Sequence, residues 1–335
     1  MPVLRKDPVV KRWVIIKDDQ PFKLSQLQVE DTTPKGDTSK CPFCPGHEEM
    51  TPPEVLAYRS KDSEPNKEGW EVRVIPNKFA ALKNEGELNR KLFGVYDKMN
   101  GVGAHEVIIE TPEHFESFYT YPVSKVEQII WAFVDRYDDL RKDKRLRYIQ
   151  IFKNHGKAAG ASLEHPHCQI IATPVVVKRV MEEIDGSKEY YIYHDSCLFC
   201  DMIDQEIAEG IRVIEKNSHF VAFCPFASRF PFEIWVLPLK HRADFGHISE
   251  EEVRSLAEIM SNVFKRLGRA LSNPPYNFII HTSPVNSPGI DCSKFYHWHI
   301  EIMPRVIKTA GFEWASGFYT NPLSPEEAAK LLRNA

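Results

Sequence analysis

The chain has 335 residues, a net charge of −4 at pH 7, 42% hydrophobic residues and 27% charged ones. This is the balance of a globular protein with a sizeable core, and its mixed signs argue against broad nucleic-acid binding while leaving room for a local anion pocket. No apolar stretch approaches membrane-spanning length and MPVLRKDPVV lacks a signal-peptide core, so a cytoplasmic protein with no membrane contact is expected.

In chain order, the first signal is a C-x-x-C pair, Cys41 and Cys44. Residues 60–70 and 86–103 read as polar loops. The apolar run HEVIIE from His105 predicts a strand, and His114 follows it. SKVEQIIWAFVDRYDDL predicts a helix opened by a capping box from Ser124 to Glu127, with Val126, Ile129, Ile130, Phe133, Tyr137 and Leu140 on one face. A strand, RLRYIQIF, precedes the loop NHGKAAGAS and the run HPHCQIIATP.

The second half repeats this plan. A second C-x-x-C, Cys197 and Cys200, precedes IRVIEKNSHFVAF, which resembles VRVIPNKFAAL from Val72. FEIWVLPLKHRADF aligns with HEVIIETPEHFESF at a fixed offset, matching His241 to His114. A capped helix from Ser249, the strand YNFIIHT and the run HWHIEIMP complete the series. Six elements repeated in order indicate a duplication. The predicted fold is α+β: two tandem halves, residues 1–175 and 190–335, each an antiparallel sheet with a long packed helix. SPEEAAKLL from Ser324 predicts a short terminal helix with proline at its first position.

Of seven cysteines, the two pairs suit metal binding better than structural disulfides in a reducing compartment. The first half offers Cys41, Cys44, His114 and one histidine of HPH. The second offers Cys197, Cys200, His241 and His297, with Glu182 or Glu183, His281, His297 and His299 as another ligand set. Two Cys2His2 sets suit zinc, and four protein ligands would make it structural. A redox pair or plain core thiols are the alternatives. Cys168, Cys224 and Cys292 read as apolar filler.

In a strand, His165, His167 and Gln169 share one face. With His165 pinned to metal or backbone, His167 can act as a nucleophile if its other nitrogen holds the proton. The loop before it is rich in small residues that admit phosphate oxygens, and Asn154, Lys157 and Ser162 can add donors. Gln169 can donate a hydrogen bond to a phosphate but cannot protonate a leaving group. That favours exchange between two phosphates, whose leaving groups depart as stable anions. A pair of metal ligands, or two core histidines, are the competing readings of HPH.

The motifs CPFCPG, TPPE (51–54), PNKFAAL (76–82), GASLEHPHCQ, HTSP (281–284), HWH and GFE (311–313) resemble those of the galactose-1-phosphate uridylyltransferase family, the transferase branch of the histidine-triad superfamily. The resemblance runs from RKDPVVKRWVII at Arg5 nearly to the C-terminus. It implies a double displacement in which His167 attacks the α-phosphorus of a nucleoside-diphosphate sugar, releases the sugar 1-phosphate and passes the nucleotide to a second phosphate. It places Ser162 and Gln169 at the phosphates, and Asn77, Asn154, Gly160, Phe312 and Glu313 at the substrate. It assigns the first zinc to Cys41, Cys44, His114 and His165, and it implies a homodimer. KDDQPFK (17–23) lacks the arginine pair usual in the uridylyltransferases. GFEWASGFYTNP has Phe318 and Tyr319 where they usually have a glutamine. The second C-x-x-C and GFYTNP are closer to the ADP-glucose phosphorylase branch. A non-enzymatic zinc protein that binds a partner is the alternative of another class.

Overall fold

A computed structural model of the protein describes residues 1–17, 22–30, 32 and 36–335. The KDDQPFK stretch lies partly outside these residues.

The first half contains β1 (Val3–Lys6), β2 (Trp13–Ile16), β3 (Leu56–Arg59), β4 (Trp70–Pro76), β5 (Lys91–Phe93), β6 (Tyr96–Lys98), β7 (Ala104–Ile109), helix α1 (Val123–Leu140), β8 (Tyr148–His155) and β9 (His167–Thr173). Helices α2 (Lys178–His194) and α3 (Leu198–Glu209) follow. The second half contains β10 (Val213–Lys216), β11 (Phe220–Phe223), β12 (Ile234–Pro238), α4 (Glu250–Leu271), β13 (Tyr276–His281), β14 (His299–Pro304), α5 (Gly311–Ser316), β15 (Tyr319–Asn321) and α6 (Pro325–Arg333).

Ten strands form one antiparallel sheet in the order β10-β11-β12-β14-β13-β8-β9-β7-β4-β3. Read from either edge inward, the two halves contribute matching strands and meet where β13 pairs with β8. Separately, β15 lies parallel to β2 in a small sheet with β1, tying the C-terminal segment to the N-terminal one.

Alternation within the strands sorts the side chains between the sheet's two faces. Cys168, Ile170 and Ala172 of β9 and Ile108 of β7 join α1 and α4 in the main core. Helix α1 buries the six apolar residues expected from its period, and α4 buries Val253, Leu256, Met260, Phe264 and Leu267. Full burial of each large apolar side chain contributes about 1.5–3 kcal/mol. On the opposite face of the first half, Cys41, Phe43, Cys44, Trp70, Ile75, Val107 and Ile109 form a smaller cluster beside the histidines.

Three sequence expectations are corrected. The helix predicted from Ser124 begins at Val123 with Pro122 as its N-cap, so Ser124 lies inside it and makes no capping bond. Ser249 does form the capping box with Glu252. The stretch 86–103 carries the β5–β6 hairpin. Finally, β9 begins at His167, so His165 and Pro166 precede the strand. The C-terminal helix has Ser324 as its cap and Pro325 at its start, as expected.

Ser249→Ala should cost about 1 kcal/mol in urea denaturation, the usual value of a lost cap. Ser124→Ala should stay within about 0.5 kcal/mol, because that hydroxyl caps nothing.

Candidate active site and metal clusters

Cys41, Cys44, His114 and His165 converge in one buried cluster, with their ligand atoms all within 4.8 Å of one another. His165 Nε2–H donates to the Thr111 carbonyl at 2.8 Å. That bond fixes the tautomer and turns the Nδ1 lone pair toward the thiols, at 3.6 Å from both Sγ atoms. His114 Nδ1 lies 3.3 Å from Cys44 Sγ. Separations of about 3.5 Å are what tetrahedral donors around one ion require. Burial and the neighbouring Cys41 push the Cys44 thiol up to about 12, so a thiolate pair needs a cation beside it. Among the described residues, the buried His114 Nε2 has no hydrogen-bond partner.

The second half repeats the geometry with Cys197, Cys200, His241 and His297. His241 Nε2 bonds the Ser293 carbonyl at 2.8 Å and His297 Nε2 bonds the Pro238 carbonyl at 2.9 Å, so both Nδ1 atoms face the thiols. Both clusters could hold a metal ion through four protein ligands, which leaves no open coordination position for chemistry.

The alternative set resolves differently. Glu183, His281, His299 and Glu301 come together, whereas Glu182 faces Lys178 at 3.5 Å and His297 belongs to the thiols. Arg229 lies 2.6 Å from Glu301 and Arg179 lies 3.1 Å from Glu183, so two guanidinium groups already balance the two carboxylates.

His167 lies between two cavities. Its backbone pairs with Ile109 of β7. Its Nδ1–H donates to the His165 carbonyl at 2.8 Å, which leaves Nε2 with a free lone pair. Burial, helped by the Lys153 ammonium, holds its pKa below the ordinary imidazole value. Lys153 Nζ donates to the His167 carbonyl at 3.2 Å and is ion-paired with the buried Glu110. Glu110 also accepts from Tyr121 at 3.0 Å and from Cys168 at 3.0 Å. The Phe43 ring packs edge-on against His167 at 5.5 Å.

One cavity, of about 260 Å³, is polar and lined by Lys153, Asn154, Gly156, Lys157, Ala161, Ser162 and His167 among others. The loop needs its glycines. Gly156 has φ +81° and a Cβ there would meet Pro275 and Thr32 at 2.7 Å; Gly160 has φ +88° and turns the chain toward Ser162 without itself lining the cavity. Asn277 of β13 donates to Asn154 Oδ1 and to the Ala159 carbonyl, both at 2.8 Å, leaving the Asn154 NH2 for a ligand. The other cavity, about 500 Å³, has apolar walls including Phe43, Met50, Ile75, Phe79 and Val107, with Asn77, Ser162, His167 and Gln169 at its polar end.

His167, Gln169, Ser162, Asn77 and Asn154 are thus brought together. Phe312 and Glu313 line neither of these two cavities. They lie on α5, where Glu313 accepts from its own helix's cap at 2.9 Å. Sequence reasoning missed Lys153, Glu110 and Asn277. Lys153 shares inward parity with Ile149 and Ile151 along β8, and a lone lysine at a core position was the available signal.

The family model for the galactose-1-phosphate uridyl transferase N-terminal domain matches residues 2–177. The chain belongs to the galactose-1-phosphate uridylyltransferase family. A domain family of unknown function also matches residues 103–334. An ADP-glucose phosphorylase of Arabidopsis thaliana is 35% identical over 99% of this chain and 92% of its own. The galactose-1-phosphate uridylyltransferase of Thermotoga maritima is 29% identical over 99% of this chain and 98% of its own. The crystal structure of an Arabidopsis ADP-glucose phosphorylase with bound ADP-glucose superimposes with a TM-score of 0.82 at 33% identity, covering 100% of this chain and 99% of that one. A uridylyltransferase structure gives 0.75 at 27%, covering 100% and 98%. These matches make the protein a member of a nucleotidyltransferase family whose named relatives include both activities. Among the described residues, no helix is long and apolar enough to cross a membrane.

Cys41→Ser and Cys197→Ser should each lower the metal content measured by atomic emission and reduce the melting temperature. Cys41→Ser should also disturb the site, because His165 links that cluster to His167.

Proposed function

We propose that the protein exchanges a nucleoside monophosphate between a nucleoside-diphosphate sugar and a second phosphate through a covalent nucleotidyl-histidine on His167. The observation that carries this reading is the bond from His167 Nδ1–H to the His165 carbonyl beside a polar cavity. The Nε2 lone pair attacks the α-phosphorus, an N–P bond forms, and the bond to the sugar 1-phosphate oxygen breaks. The leaving group departs as an anion and takes no proton. Nδ1 keeps its proton, and the His165 carbonyl stabilises the positive ring of the adduct. In the second step an oxygen of the incoming phosphate attacks, the N–P bond breaks, and the lone pair returns to Nε2. Ser162, Asn154 and Gln169 supply donors to the phosphate oxygens, and the apolar cavity takes the nucleoside.

The favoured activity is that of a galactose-1-phosphate uridylyltransferase, with UDP-glucose and galactose 1-phosphate as the exchanging pair. A second reading, ADP-glucose phosphorylase-like transfer of AMP to inorganic phosphate, is supported by the 35% identity to the Arabidopsis protein. Zinc suits both Cys2His2 sets, as a structural ion. A homodimer belongs to the same proposal: Phe312 and Glu313 lie outside the two cavities beside His167 in their own chain, and a site completed by a second copy accounts for them.

Incubation with labelled UDP-glucose and with labelled ADP-glucose, followed by acid precipitation, should leave label on the protein with the nucleotide it uses. His167→Ala should retain none while keeping its fold and metal. A partner-binding zinc protein without enzymatic activity would retain no label in either case.

The attacking ring must be unprotonated, and a lowered pKa keeps it so further into acid. Adduct formation should therefore hold steady from pH 7 to below the ordinary imidazole value of about 6.5. Lys153→Met removes one of the causes of the lowering, so a pH–rate series should show the acid limb moving upward.

A further inference from the structure

His105, on β7, lies beside the site and takes no part in the reaction as described above. Its ring touches three groups whose hydrogen-bonding roles are fixed. The backbone N–H of Ala81 donates to its Nδ1 at 3.2 Å, so Nδ1 must carry the lone pair. The proton of the neutral ring is then on Nε2, which lies 2.9 Å from Gln169 Oε1. A glutamine oxygen only accepts, so His105 donates to it. Asn77 Nδ2 is 3.0 Å from the same Nε2, but one ring nitrogen cannot donate to Gln169 and accept from Asn77. The oxygen of Asn77 is already held by the Phe79 N–H at 2.9 Å.

These constraints have one solution. Both acceptor ends, Gln169 Oε1 and Asn77 Oδ1, are occupied within the protein. Both NH2 ends are left as donors at the polar end of the apolar cavity, where a phosphate or ribose oxygen would lie. Without the His105 proton, the Gln169 amide could turn its oxygen to the substrate, and an oxygen repels a phosphate. The Nδ1 contact has a separate effect. It braces Ala81, on the segment that carries Asn77 and Phe79 into the cavity wall.

We infer that His105 is a positioning residue with two separable functions: through Nε2–H it orients the Gln169 amide for the phosphate undergoing transfer, and through Nδ1 it holds the loop that binds the nucleoside. This rests on the nucleotidyl-transfer reading of the site. It adds a determinant of rate and of nucleotide affinity in a residue that contacts neither substrate.

The two functions can be cut apart. His105→Gln places an amide NH2 near the Nε2 position and keeps a donor for Gln169, but offers nothing to Ala81. His105→Asn places an oxygen near the Nδ1 position and keeps an acceptor for Ala81, but does not reach Gln169. One neutral hydrogen bond is worth about 1 kcal/mol, or about fivefold. In single-turnover labelling with the nucleotide sugar that the wild type retains, His105→Gln should raise the half-saturating concentration about fivefold with little change in maximal rate. His105→Asn should lower the maximal rate about fivefold with little change in half-saturation. In the His105→Asn background, Gln169→Ala should cost much less than it does in the wild type, because the two residues act as one unit.

A general structural role would move both parameters together, along with the melting temperature, in both variants. That result, or wild-type behaviour in both, or full additivity of the double variant, overturns the role of His105 while leaving the covalent step intact. If the wild type itself retains no label, the covalent reading falls and this role falls with it. Either variant alone separates the two parameters, so misfolding of one leaves the test standing.

Discussion

The bond from the His167 ring to the His165 carbonyl carries most of what the site can do. A histidine is a useful nucleophile only in one tautomer, and here that tautomer is dictated by a backbone oxygen that cannot itself give up a proton. The oxygen stays in place because the same residue's ring is committed on both sides, to the Thr111 carbonyl and to the thiol cluster. A metal bound there would act at a distance of one residue, by immobilising the peptide that sets the neighbouring ring. The buried Lys153–Glu110 pair holds the other side of that strand by bonding the carbonyl of His167 itself.

The duplication leaves two copies of this histidine arrangement in different surroundings. His299 repeats the geometry of His167, with its Nδ1 3.0 Å from the His297 carbonyl. Its ring, however, is fully buried, stacked against Trp235 at 5.1 Å and packed at a tilt against Phe199 at 5.0 Å. Where the first copy has Gln169, the second has Glu301, locked to Arg229. The second copy thus keeps the thiol cluster and the locked ring, and packs aromatic rings around its histidine.

Much of this could be read in the chain. Offset repetition matched His114 to His241, and donor types pointed to the clusters; that His165 is the first cluster's fourth member came from the family resemblance. Helix faces were legible from period alone. The less legible parts depend on pairing across strands. Nothing local marks Asn277 as a partner of Asn154; the two meet only because β13 lies beside β8. His105 looked like the start of an apolar strand, and its role appears only once the register sets it diagonally across from Gln169 on the neighbouring strand. The missing cap at Ser124 has a similar lesson: the motif was present, but the helix is opened two residues earlier, with Pro122 as its N-cap.

The seam between β8 and β13 has a consequence for how this molecule can diversify. Asn277 belongs to the second half, yet it steers an amide of the first and anchors its glycine loop. The second half therefore supplies a group that the first half's loop uses, so it cannot be excised as a spare part. Drift in the second half is constrained along that shared edge as well as at its own thiol cluster. New specificity would more readily arise in the walls of the apolar cavity beside His167 than along the line where the two halves meet.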